Sequence, residues 1–204
     1  MAMNPIQFQR GMSLPEFHRS FGSAAQCAEA LRAARWPQGF CCPRCGSAEH
    51  CRLGRGELYQ CSACRRQTSL VAGTLTANTK LPLQIWFLAI YLISQAKTGL
   101  SALALKRQLG VSYPTAWLMH HKLLRAMAQR DDVHRLGGHV QMDDAYLGGE
   151  LAGGKAGRGS ENKVPFVAAV SLSNEGRPQY LKLTPVARFT HEAIKQWACA
   201  HLHP

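Results

Sequence analysis

Four cysteines in two pairs, Cys42-Pro43-Arg44-Cys45 and Cys61-Ser62-Ala63-Cys64, constrain this chain more than any other feature. Fifteen residues separate the pairs. A C-x2-C turn brings two thiolates to one metal ion, and two such turns close a tetrahedral four-sulfur shell around Zn2+. A closed shell leaves no position for a reactive water, so the zinc is structural and any chemistry lies elsewhere. Cys27, Cys41, Cys51 and Cys199 fall outside this spacing and read as ordinary small residues.

The 204 residues carry a formal charge of +12, unevenly spread. Residues 1–130 hold 16 Lys and Arg against 4 Asp and Glu, whereas residues 131–204 hold 8 of each. A polyanionic partner is therefore sought on the first part. Met1–Arg10 has no apolar stretch of signal-peptide length. The longest apolar run, Ile85–Ile93, is about half of what spans a bilayer. No membrane partner is expected, and the expected compartment is the reducing cytoplasm, where paired cysteines hold metal rather than disulfides.

Hydrophobic spacing predicts a helix over 14–36, ended by Pro37-Gln38-Gly39. The knuckle module follows over 40–72, with a hairpin whose turn is Gly54-Arg55-Gly56 and a further short strand after Cys64. Pro82–Ser94 is an apolar helix. Ser101 then caps a helix bearing Leu103, Leu105 and Leu109, Gly110-Val111-Ser112 forms a tight turn, and Tyr113–Met127 is a second helix with Pro114 in its first turn. This is the pattern of a helix-turn-helix, in which Ser112, Tyr113 and Thr115 would meet base edges. Lys106, Arg107, Lys122 and Arg125 would meet phosphates. An ordinary helical hairpin with a solvated basic face fits the same residues. From Gly138 the period changes to that of strands, at His139–Leu147, Val164–Leu172 and Gln179–Val186, with a Gly- and charge-rich loop over 150–163. A last helix, capped by Thr190, closes the sequence.

Asp143 and Asp144 occupy consecutive strand positions, so their carboxylates point to opposite faces. Two-metal phosphoryl transfer needs several carboxylates around its ions, and one strand aspartate is where such a set begins. An exposed strand-end aspartate beside Gly148-Gly149 is the plainer alternative.

Several runs, in this order, resemble one known family. They are Arg35-Trp36-Pro37-Gln38-Gly39-Phe40, the two knuckles with Arg65-Arg66-Gln67-Thr68, Ala72-Gly73-Thr74, Lys80-Leu81-Pro82-Leu83 with Trp86-Phe87, Leu109–Tyr113, and Met142–Gly149. Together they look like the bacterial insertion-sequence transposases that join an N-terminal zinc ribbon to a DDE-type catalytic domain. The resemblance implies an α+β, multi-domain chain. A zinc ribbon with its preceding helix would occupy 14–78, a helix-turn-helix-like segment 80–130, and a partial ribonuclease-H-like domain 137–204. It also implies Asp143 as first catalytic ligand of Mg2+ or Mn2+, and double-stranded DNA at terminal inverted repeats as partner. A second copy of the chain is a further candidate partner. The family's usual Glu after that Asp is Asp144 here. Its later carboxylates have no counterpart before Pro204, so the expectation is a truncated domain with impaired cutting and joining. The competing expectations are a non-catalytic DNA-binding remnant or a zinc-ribbon regulator.

Overall fold

The computed structural model describes residues 11–54, 57–96, 98–149, 153, 154, 157 and 160–203. Met1–Arg10, Arg55 and Gly56 of the expected turn, and half of the expected 150–163 loop lie outside the described residues. The fold is mixed α+β, with six helices and two small sheets among the described residues. It divides into two compact units, Gly11–Ala126 and the part from Met127 onward.

The single helix expected over 14–36 is two helices, α1 (Leu14–Phe21) and α2 (Ala24–Arg35). Each begins with its own capping box, Ser13 with Glu16 and Ser23 with Gln26, so a second helix start is written inside the run. The break sets Phe17 against Tyr91 and Phe21 against Phe87 of α3 (Leu83–Gln95), at ring separations of 4.7 and 5.2 Å. Between them lies an antiparallel sheet of β1 (His50–Leu53), β2 (Leu58–Cys61) and β3 (Gln67–Ser69). α2 is fastened to it through Arg32, whose Nε donates to the Tyr59 hydroxyl at 2.7 Å and whose other arm pairs with Glu57 at 2.9 Å. Phe40, Tyr59, Leu70 and Ala28 form the core of this region together with Cys42 and Cys61.

A second core joins α3, α4 (Ala102–Leu109) and α5 (Tyr113–Val133) through Trp86, Ala89, Leu105, Leu109, Ala116, Met119 and Leu123. Ser101 caps α4 as expected, and Gly110 ends it in the left-handed conformation (φ 66°), its N–H bonded to the Lys106 carbonyl. α5 runs six residues past the expected end at Met127.

From Met127 onward, β4 (His139–Leu147), β5 (Val164–Leu172) and β6 (Pro178–Pro185) form an antiparallel meander, followed by α6 (His191–His201). Val167, Ala169 and Trp197 are the core beneath α6, joined by Leu136. Val164, Leu181 and Leu183 fall at alternate positions to these and are about half exposed. Lys182 is buried, its ammonium donating at 2.6 Å to the Asp131 carbonyl in the last turn of α5. There the negative end of the helix dipole favours a cation. Burial, and then the nearby Lys182 charge, push the His201 imidazole below its usual range. Its neutral form therefore stabilises this unit above about pH 6.5, and that contribution is lost as pH falls through the lowered value. The melting temperature is expected to drop on acidification below pH 6, less steeply in His201→Gln; calorimetry at several pH values reads this directly.

Of the Gly148-Gly149 pair, Gly148 acquires a physical reason. Gly148 sits at φ 128°, and a Cβ there would lie 2.1 Å from the Asn162 carbonyl oxygen. Gly148→Ala is expected to cost roughly 2–3 kcal/mol in urea unfolding, through backbone strain and the clash together.

Candidate metal centre and DNA-contact surfaces

Both knuckles are built alike. In each, the N–H of the residue after the second cysteine bonds back to the carbonyl of the first, Gly46 to Cys42 at 2.9 Å and Arg65 to Cys61 at 3.1 Å. Both residues take positive φ, which glycine adopts freely and Arg65 adopts against its preference. The four Sγ atoms lie within 4.8 Å of one another, Cys42 to Cys64 at 3.5 Å and Cys45 to Cys61 at 3.6 Å. A tetrahedron with Zn–S bonds of about 2.3 Å needs sulfurs about 3.8 Å apart, so the spacing fits a four-thiolate zinc site.

The local electrostatics fit it as well. Backbone N–H groups of Arg44 and Cys45 point at the Cys42 sulfur and hold it down to about 6 against burial. Those of Cys64 and Ala63 likewise lower Cys61. The Ser47 N–H pulls Cys45 down, but the crowded sulfurs of Cys64, Cys61 and Cys42 outweigh it and push Cys45 up to about 12. Without metal the four sulfurs cannot all ionise; a divalent cation removes that conflict. In the metal-free chain the Cys42 thiolate contributes stability above about pH 9, and this is lost as pH falls through about 6. The Cys45 thiol contributes below about pH 9 and loses its share as pH rises through about 12. Zinc binding is therefore expected to release protons near neutrality, read by calorimetry in buffers of different ionisation enthalpy.

In the same unit, α4, the turn at Gly110-Val111-Ser112, and α5 carry the residues singled out for DNA. Lys106, Arg107 and Arg125 are exposed. Tyr113 is exposed at the start of α5. Ser112 and Thr115 bond each other, Oγ to Oγ1 at 2.8 Å, and the Ser112 Oγ accepts the Thr115 N–H at 3.4 Å, so both work in the helix start. Lys122 is half-buried, its ammonium 5.7 Å above the Trp86 ring. Sequence reasoning passed over Trp117, which is 47% exposed and lies against His121, with ring centres 4.1 Å apart and planes tilted by 47°. Its spacing of four from Tyr113 was the available signal.

Asp143 and Asp144 lie apart from the cysteines, in the unit from Met127 onward. Register pairs Asp144 with the buried Val167, and Asp143 with Ala168 on the opposite face. The Asp143 Oδ1 accepts the Asp144 N–H at 2.8 Å. Both line an open cleft of about 490 Å3 with Met142, Tyr146, Phe189 and Ile194. Among the described residues no third carboxylate joins them in a metal-sized group. These residues do not by themselves fit a two-metal shell.

Comparison with known proteins follows the same division. Residues 22–67 match the transposase zinc-ribbon domain, and residues 135–204 match the ISXO2-like transposase domain. This chain belongs to the insertion-sequence transposases with a zinc ribbon and a DDE-type domain. A relative from Halobacterium salinarum, an uncharacterized protein in transposable element ISH50, is 29% identical over 167 residues, which is 79% of this chain and 52% of the relative. The chain thus spans about half the length of the curated relative it matches. No solved structure matches it. The four cysteines belong to a zinc-ribbon transposase, and no helix among the described residues is long and apolar enough to cross a membrane.

Proposed function

We propose that this transposase-family chain binds the double-stranded terminal inverted repeats of an insertion sequence, with zinc holding the ribbon and α4–turn–α5 acting as a helix-turn-helix. The observation that carries this is the three-residue turn between capped helices, flanked by the exposed Lys106, Arg107 and Arg125 and by Tyr113 at the start of α5. Ser112 and Thr115 set the start of that helix, and Lys122 braces it against Trp86 while its charge adds to the basic field. The proposed catalytic domain is ribonuclease-H-like, with Asp143 contributing one carboxylate to a Mg2+ or Mn2+ site. Its remaining ligands lie beyond the described residues or on another copy of the chain.

The second reading, DNA binding without cutting, is favoured by opposite-facing Asp143 and Asp144 with no third carboxylate beside them among the described residues. A cleavage assay on DNA carrying the element's own ends, in Mg2+ or Mn2+, separates the two. Residues 1–204 alone are expected to bind without nicking. Nicking abolished in Asp143→Ala and kept in Asp144→Ala would overturn the non-cutting reading and support the metal role of Asp143. Nicking that survives both would remove Asp143 from the account.

A further inference from the structure

A second cleft of the unit from Met127 onward lies away from Asp143 along the sheet. It is an open groove of about 1020 Å3 at the β5–β6 end of the meander, lined by Arg135, Arg177, His203, Ser171, Gln179 and Tyr180 among others. Its walls are held by backbone bonds. On one side Leu136 N–H bonds to the His201 carbonyl at 2.7 Å and His203 N–H to the Leu136 carbonyl at 2.9 Å. The His203 ring lies so close to Gly137 that a Cβ there would come within 3.2 Å of it. On the other side the Ser173 Oγ accepts the N–H groups of Glu175 and Arg177, at 3.3 and 3.2 Å, and Ser173 N–H bonds to the Arg177 carbonyl at 2.8 Å. The groove is therefore shaped before anything enters it.

Its chemistry is mixed in a particular way. Arg135 and Arg177 supply cationic forks; Arg177 pairs with Glu175 at 3.1 Å, which is largely exposed, and among the described residues no ion pair engages Arg135. Tyr180 is 52% exposed and stacks nearly parallel on His134, with ring centres 5.2 Å apart and planes 19° apart. Ser171 is 1% exposed, and its Oγ accepts the Tyr180 N–H at 3.2 Å. Guanidinium groups suit phosphate oxygens, and a rigid aromatic ladder suits the flat face of a base. A duplex buries its base faces within its own stack, so of the DNA forms at an element's end an unpaired strand is the one that offers both features at once. The volume sits at the upper end of small-ligand sites, about 300–1,000 Å3, enough for more than one nucleotide.

We propose that this cleft is a subsite for unpaired, single-stranded DNA, with Arg135 and Arg177 on phosphates and Tyr180 stacking on a base. It rests on the reading of the chain as a DNA-end-binding protein and adds a place for strand that is no longer paired. The charge balance of residues 131–204 does not reveal it, because the cleft's arginines are offset by Glu175 on the cleft wall and by acids elsewhere in that segment.

The test uses the full zinc-loaded chain and a fluorescent short oligothymidylate, with unlabelled terminal-repeat duplex in excess to occupy the basic surface of the other unit. Tyr180→Leu is expected to weaken oligonucleotide binding about tenfold, the usual loss of one base stack. Arg135→Ala is expected to weaken it and flatten its salt dependence. Glu175→Gln releases Arg177 and is expected to tighten binding about two- to fivefold, a change that misfolding cannot produce. Equal affinity in all three variants would overturn the proposal, as would tightening absent in Glu175→Gln with Arg135→Ala unchanged. If the variants behave as expected while the terminal-repeat duplex binds no better than a shuffled one, the end-binding reading fails and the cleft stands.

Discussion

Cys61→Ser is expected to release zinc and unfold the ribbon, because the Cys61 sulfur is one of the four clustered thiols that fit a zinc site and also a fully buried member of the adjoining core. Zinc binding to small four-ligand modules supplies on the order of 10 kcal/mol of folding free energy, comparable to the whole net stability of a domain. A chelator should act in the same way. Loss of ordered amide signals is expected over residues 40–70 and at Arg32 and Trp36, which brace the sheet through Tyr59. The helical core around Trp86, Leu105 and Met119 has its own packing and is expected to survive. Zinc content by absorption spectroscopy and amide exchange read both halves of this result. By contrast Cys51→Ser, at an exposed strand position whose thiol donates only to the Gln60 carbonyl, should retain metal and fold.

The second large effect concerns DNA affinity. The triple substitution Lys106→Ala, Arg107→Ala, Arg125→Ala removes three exposed cations from α4 and α5 without touching their buried faces. If each neutralises one phosphate, the slope of log affinity against log salt should fall by about 2.7, and affinity at moderate salt should drop by roughly two orders of magnitude. Helicity should be unchanged. Lys122 is kept out of this set because its stem packs against Trp86, so its removal would disturb packing as well as charge. Trp117→Ala is expected to weaken binding with little change in slope, since an exposed ring carries no charge.

The knuckles are legible in the sequence because two C-x2-C turns leave few geometries open, and the fold brings the same four sulfurs together. The opposite facing of Asp143 and Asp144 is equally legible, since a strand's period of two settles it without tertiary information. The break between α1 and α2 was missed because the interrupted amphipathic pattern over 14–36 still reads as one helix. Its signal, two capping boxes ten residues apart, lies in polar positions that a hydrophobic pattern ignores. The true end of α5 was not legible, because the anchor of its last turn is Lys182, fifty-one residues away. The burial of Lys122 and the close approach of Gly148 to Asn162 are likewise long-range facts, absent from local propensity.

The central claim is best tested by titrating the zinc-loaded chain with a duplex of the element's own terminal repeat and a shuffled duplex of equal length and composition. A preference of about tenfold or more for the repeat, with affinity falling steeply as salt rises, is the predicted result. Equal affinity for both duplexes, or affinity indifferent to salt, would contradict it.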